Sequence, residues 1–381
     1  MEYTTPQFFR VMQYAARADR DVVGMVSGNP DWGPPAALRE GLHEYADAPP
    51  GDFQYPPSVG LTALRTEIAE RRGVDRSRVV VTSGAGEANH LAMVGGLEAF
   101  AGDEVVVADP VYPYYAGRAN FQGATLSFAP VADDGHLQPA TLAETASSDT
   151  AVIVVNSPNN PMGVTYGAEA MRGFAEVAEA NDALLLSDEV YDHFDLSGRF
   201  ESALALDSPN RVVTNSFSKS MAITGFRVGY AVFPPETAPG SAGSLLETAR
   251  TRHMLTTVTG SRPAQAAVLH ALRNTDPAYW QDKRDLLADR VSRFTDALGA
   301  AGAEYTEPEG AFYVMARFPD FPGTFEGVER LVDEAGVAGM PGEAFGGVRA
   351  DWIRFSLTTD RVGTAGERLR GFFADRSEEV S

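Results

Sequence analysis

Lysine is nearly absent from this chain, and one of its two copies stands where a reactive amine is most useful. Of 31 basic residues, 29 are arginine and two are lysine, Lys219 and Lys283. Lys219 closes the run Asn215-Ser216-Phe217-Ser218-Lys219, just after an apolar stretch. A chain that takes its positive charge from arginine keeps a lysine where guanidinium cannot serve. Only an amine can lose its proton, attack a carbonyl and form a Schiff base. Lys283, in Gln281-Asp282-Lys283-Arg284, has the setting of an ordinary solvated side chain.

Three other apolar runs also end in polar clusters. Val79–Thr82 leads into Ser83-Gly84-Ala85-Gly86, and Val152–Val155 into Asn156-Ser157-Pro158-Asn159-Asn160-Pro161-Met162-Gly163. Leu184–Leu186 leads into Ser187-Asp188-Glu189-Val190-Tyr191. In an open parallel sheet, ligands bind beyond the carboxyl ends of the strands, so the four clusters converge on one site. The small residues before a helical run can bring backbone N–H groups up to an anion. That turn lacks the Gly-Lys-Ser/Thr ending of a P-loop and the spacing of a dinucleotide fingerprint. Taken singly, Asp188 suits a helix N-cap, Asn160 a turn before proline, and Tyr112 a core or rim position.

Elements to position these clusters are legible. The runs Val79–Thr82, Glu104–Ala108, Ala151–Val155, Leu184–Ser187, Arg211–Asn215 and Gly229–Phe233 are mostly apolar throughout, which suits parallel strands covered on both faces. Helical patterns lie between several of them. Leu61, Leu64 and Ile68 share a face with Gly73 as C-cap, and a second pattern spans residues 168–180. This alternation predicts an α/β fold with right-handed crossovers. Beyond about residue 275 come a long helix, the segments Gly310–Ala316 and Asp351–Leu357, a helix near Glu326–Ala335 and a last helix whose end, Arg376–Ser381, is expected to fray. The division expected is an N-terminal arm with part of a small domain (1–45), a large domain (46–275) and the rest of a small α+β domain (276–381).

Composition excludes several classes. With 52 acidic residues against 31 basic, the formal charge is −21, which repels phosphate backbones and anionic leaflets; neither nucleic acid nor membrane is an expected partner. Cysteine is absent, so thiolate nucleophiles, disulfides and cysteine-held metals are excluded. The start does not read as a signal peptide and no apolar run could span a bilayer, so a cytoplasmic protein is expected. The acidity, with arginine in place of lysine, favours a salt-rich cytoplasm, where a screening length of about 3 Å tolerates self-repulsion.

Together the motifs resemble those of the class I/II pyridoxal-phosphate aminotransferases of fold type I. Asn156–Gly163 is similar to Asn-Pro-x-Asn-Pro-x-Gly, except that Ser157 interposes before the first proline. Ser216–Lys219 with Gly225-Phe226-Arg227-Val228-Gly229-Tyr230 resembles the lysine motif of that family. Ser187–Tyr191, Asp109-Pro110-Val111-Tyr112-Pro113 and Trp352-Ile353-Arg354-Phe355-Ser356 match further signatures, in family order from about residue 28 to residue 356. The resemblance implies a large domain with a mainly parallel sheet flanked by helices. It also implies pyridoxal 5′-phosphate held covalently by Lys219, which then moves a proton between substrate Cα and cofactor C4′. Asp188 would pair with the pyridinium nitrogen, Tyr191 and Asn160 would bond the phenolic oxygen, and Tyr112 would stack on the ring. Ala85, Gly86, Ser216 and Arg227 would hold the phosphate, and Arg354 would clamp the substrate α-carboxylate near Gly28. Tyr55 would reach the phosphate of a neighbouring subunit, making the active unit a homodimer.

The reaction implied is amino transfer between an L-amino acid and a 2-oxo acid, in two half-reactions through the pyridoxamine form. A lyase, decarboxylase or synthase on the same fold is the alternative. A dinucleotide-dependent dehydrogenase would leave the lysine motif unexplained, and a DNA-binding regulator would need a basic appendage. For a dicarboxylic substrate, Arg118, Arg252 and Arg262 are candidate second cations. Phe8, Phe9 and Tyr14 could line a pocket or pack an amphipathic first helix.

Overall fold

The computed structural model describes the backbone of residues 6–379 and side chains up to residue 374; Met1–Thr5, Val380 and Ser381 lie outside the described residues. The start of the chain and the last two residues of the expected frayed tail therefore fall outside the described residues, whereas its first four continue the last helix, Val362–Glu379.

Seven strands form the large sheet: β1 (Val79–Thr82), β2 (Glu104–Asp109), β3 (Thr125–Pro130), β4 (Thr150–Asn156), β5 (Leu184–Asp188), β6 (Arg211–Ser216) and β7 (Gly229–Val232). Their order is β1-β7-β6-β5-β4-β2-β3. The pairs from β3 to β6 are parallel, while β7 runs antiparallel to both β6 and β1. Its apolar run had suggested another parallel strand. Burial on both faces produces that composition whatever the strand direction. The edge strand β3 was not anticipated, because it is largely half-exposed and carries no continuous apolar run.

Alternate residues along each central strand enter different cores, as the period of two requires. Val105, Val107, Val152, Val154, Leu184 and Leu186 pack against the helices Gly84–Ala99 and Leu245–Thr257. Val106, Ile153, Val155, Leu185 and Val213 face the helix Ala168–Ala180 and join a core that continues into the C-terminal region. There a four-stranded antiparallel sheet is built from β8 (Glu304–Tyr305), β9 (Tyr313–Arg317), β10 (Met340–Pro341) and β11 (Ile353–Ser356), in the order β10-β11-β9-β8. The helices Ala278–Ala300 and Val362–Glu379 pack together behind it. The N-terminal chain is divided between the two regions. Val23–Gly24 pairs with Val337–Ala338, and Met25 accepts a bond from the Ser356 N–H, whereas the helix Ala36–Ala46 packs on Arg262–Asn274.

The helix Thr62–Arg72 buries Leu64 and Ile68 and stops at Gly73, whose φ of 63° lies in the left-handed region that glycine adopts without strain. Among the described residues no helix is long and apolar enough to cross a membrane.

Candidate active site

The parallel strands end together at one rim of the sheet, and their C-terminal loops enclose a cavity of about 670 Å³. β1 delivers Ala85 and Gly86 in the first turn of the helix Gly84–Ala99. β2 delivers Tyr112, which precedes the helix Pro113–Gln122, and β4 delivers Asn160. Asp188 is the last residue of β5 and Ser216 the last of β6; Lys219 lies in the single turn Phe217–Ser220 that follows. Gly28 and Arg354 approach from the C-terminal side, Arg354 on β11. All of these, with Tyr191 and Arg227, line the cavity. Tyr55 does not: it is 81% exposed, away from the cavity of its own chain.

Lys219 Nζ donates to the Gly28 carbonyl at 3.0 Å. Burial, with Arg354 and Arg227 nearby, depresses its pKa from 10.5 to about 8, against an opposing pull from Asp188. The amine is therefore far more available than an ordinary lysine's.

Asp188 is buried. Its Oδ2 accepts from Asn89 Nδ2 and from the Tyr115 hydroxyl, both at 2.6 Å, and its Oδ1 from the Val190 N–H at 3.1 Å. Burial raises its pKa, and these three bonds oppose that rise. All three donors are neutral, so the carboxylate is held in place with its charge unmatched by any of them.

Arg354 is also buried. Its Nη1 donates to Asn160 Oδ1 at 2.8 Å and its Nη2 to the Val26 carbonyl at 2.6 Å, while its Nε has no partner among the described residues. The guanidinium lies over Tyr313 and Phe345, with its carbon 4.5 and 4.8 Å from the ring centres. Tyr313 meets the Tyr191 hydroxyl at 3.0 Å. A Cβ added to Gly28 would lie 1.9 Å from the Tyr313 hydroxyl, so glycine is needed for this close approach.

At the opposite end Arg227 has a φ of 57°, a left-handed conformation rare outside glycine and asparagine. This turn directs its Nη2 to the Ser83 carbonyl at 3.0 Å and its Nη1 to the Thr224 carbonyl at 2.9 Å. A Cβ on Gly84 would lie 2.4 Å from that Nη2, so helix start and guanidinium together shape one anion cradle. Ser216 caps the lysine turn, its Oγ accepting from the Ser218 N–H at 3.0 Å.

Sequence reasoning missed Asn89, Tyr115 and Tyr313. Asn89 is a buried polar side chain within a helix otherwise packed by small and apolar residues, a weak signal available beforehand. Of the proposed second cations, Arg118 lines the cavity, whereas Arg252 pairs with Glu98 and Arg262 with Asp52. Phe8 also lines it; Phe9 does not, and Tyr14 bonds Asp333.

Comparison with known proteins decides the family. The family description "Aminotransferase class I and II" matches residues 20–369. The chain belongs to the class I and II aminotransferases. An aspartate aminotransferase of Thermotoga maritima is 31% identical over 93% of this chain and 92% of its own, and one of Pyrococcus horikoshii is 30% identical over 90% and 87%. Among solved structures, aspartate aminotransferase from Thermus thermophilus with maleate superposes with a TM-score of 0.85 at 27% identity, covering 98% of this chain and 97% of that one. A methionine aminotransferase from Escherichia coli reaches 0.87 at 26% identity, covering 97% of both chains. The α/β architecture is that of these enzymes, and the protein is an aminotransferase; relatives bearing that name favour amino transfer over the lyase, decarboxylase or synthase alternative.

Proposed function

We propose that this aminotransferase works with pyridoxal 5′-phosphate bound to Lys219, exchanging an amino group between an L-amino acid and a 2-oxo acid in two half-reactions, as a cytoplasmic homodimer. The observation that carries the reading is the pairing in one cavity of a deprotonatable amine, Lys219, with a buried carboxylate, Asp188, that receives only neutral donors. The cavity is cationic at both ends: Arg227 at the helix start suits the cofactor phosphate, and a buried Arg354, whose Nε has no partner among the described residues, suits the substrate carboxylate.

When bound, the cofactor supplies a carbonyl for the amine and a ring that draws electrons from the substrate Cα. Lys219 would hold the cofactor and would serve as the base that moves the proton at the substrate Cα, with the Gly28 carbonyl steadying the amine. Asp188 would pair with the ring nitrogen, and the bonds from Asn89 and Tyr115 favour its charged form. Tyr112 would stack on the ring. Tyr191 and the Asn160 amide would donate to the phenolic oxygen; the Asn160 carbonyl oxygen is already engaged by Arg354. Arg354 would bind the α-carboxylate beside Gly28, and Ala85, Gly86, Ser216 and Arg227 would hold the phosphate.

The homodimer is supported by the loop that carries Tyr55. Thr259 donates to the Pro57 carbonyl and Arg262 to those of Gly51 and Gln54, which ties this loop to the turn after the helix Leu245–Thr257 and to the start of the helix Arg262–Asn274. Phe53, Tyr55, Leu255 and Val258 are all exposed on these segments, an apolar grouping suited to burial against a second copy. Division of the chain near residues 45 and 275 belongs to the same reading. The test is keto-acid-dependent amino transfer by the purified enzyme across a panel of donors. Amino product with consumption of the acceptor is expected; carbon dioxide or ammonia released without it would contradict the proposal.

A further inference from the structure

Ser83 stands at the N-cap of the helix Gly84–Ala99, where a serine hydroxyl ordinarily accepts from an N–H of the first turn. Here its side chain caps none of them. The Ala85 and Gly86 N–H groups, which such a cap would consume, are left facing the cavity. The helix start is secured through the Ser83 backbone instead. Its N–H donates to Glu87 Oε2 at 2.6 Å, and its carbonyl accepts from Arg227 Nη2 at 3.0 Å. Glu87 and Arg227 thus hold one residue from opposite sides. The sheet closes off a third direction, since a Cβ on Gly229 would lie 2.6 Å from the Gly84 carbonyl carbon and 2.8 Å from the Ala85 nitrogen.

Glu87 is itself held from behind. Its Oε1 accepts from His253 Nδ1 at 2.8 Å, and the Thr257 hydroxyl lies 3.2 Å from the same oxygen. His253 is fully buried on the helix Leu245–Thr257, and its Nε2 has no partner among the described residues. Burial works against the charge of Glu87, yet the bonds from His253 and from the Ser83 N–H hold its pKa below the ordinary carboxylate value. A negative charge one residue beyond Gly86 repels a phosphate, so electrostatics gives no reason for a carboxylate here. Its use at this point is geometric.

We propose that Glu87, braced by His253, is the positioning residue of the phosphate cradle: it fixes the helix start through the Ser83 N–H and so leaves the Ala85 and Gly86 N–H groups free for the phosphate. The proposal rests on the reading above that pyridoxal phosphate binds in this cavity at Lys219.

The experiment titrates the cofactor-stripped full chain with pyridoxal phosphate and with pyridoxal, which lacks only the phosphate, and reads both dissociation constants from the absorbance change on binding. In Glu87→Ala the affinity for pyridoxal phosphate falls by about tenfold, the effect of losing one bond to a charged acceptor. The affinity for pyridoxal changes by less than about threefold, so the preference for the phosphate form shrinks. Both constants come from one preparation, so their ratio does not depend on how much of the enzyme is folded. Glu87→Gln, whose amide oxygen still accepts from the Ser83 N–H, keeps most of the preference. His253→Leu, which removes the brace and leaves the carboxylate, lowers it by less than Glu87→Ala does. An unchanged ratio in Glu87→Ala would overturn the proposal, and so would equal losses for the two ligands, which mark a general structural defect. A Glu87→Gln variant as impaired as Glu87→Ala would do the same, because charge rather than the bond would then matter. Failure of the unaltered chain to bind either ligand would instead refute the cofactor reading on which the proposal rests.

Discussion

The protonation of Lys219 can be measured before any substrate is added. A lysine with pKa 10.5 is about 0.03% neutral at pH 7, and one at about 8 is about 9% neutral, since 1/(1 + 10) is near 0.09. The cavity thus raises the reactive fraction by about 300-fold. Burial contributes most, followed by the charges of Arg354 and Arg227. Removing one cation makes the protonated amine less unfavourable, so Arg354→Gln must move the pKa upward, by about one unit. The assay is rapid mixing of cofactor-stripped enzyme with pyridoxal phosphate from pH 6 to pH 11, following the absorbance change of imine formation. The capture rate of the native enzyme rises through an inflection near 8 and then levels; the variant is about tenfold slower at pH 7 and levels later. A native inflection near 10.5, or a downward shift in Arg354→Gln, would refute the reasoning.

Gly28→Ala places a methyl group 1.9 Å from the Tyr313 hydroxyl, a clash relieved only by moving a ring fixed between Tyr191 and Arg354; kcat/KM falls at least about tenfold, and adding Tyr313→Phe, which deletes the hydroxyl, recovers part of it. Tyr115→Phe removes one of three bonds that favour the charged form of Asp188. Its pKa therefore rises further, the acid limb of the pH–rate profile moves to higher pH, and kcat falls about tenfold, as steady-state kinetics would show. The charge of −21 predicts a melting temperature and activity that fall as potassium chloride is diluted from molar to about 0.1 M, where the screening length grows to about 10 Å; full stability in dilute buffer would rule out adaptation to a salt-rich cytoplasm.

Much of this site was legible because strand ends and chemistry coincide. The run Val79–Thr82 is a strand with the predicted bounds, and Asp188, Ser216 and Lys219 fall at the carboxyl ends of β5 and β6, where an open sheet binds ligands. What remained hidden depends on distant pairing. Tyr115 and Asp188 are 73 residues apart, and nothing in either segment announces the bond. Arg118, Arg252 and Arg262 were equivalent as letters; only the fold shows that Glu98 and Asp52 occupy the latter two. The direction of β7 was hidden for a similar reason, since two-sided burial alone sets the composition of an interior strand.

The central claim is that Lys219 carries the cofactor. Reduction of the holoenzyme with borohydride, digestion and mass mapping of the peptides tests it most directly, because the reduced bond survives digestion. The expected result is a phosphopyridoxyl group on the peptide holding Lys219, and none in Lys219→Ala. A label on Lys283, or a label that persists in Lys219→Ala, would contradict the account.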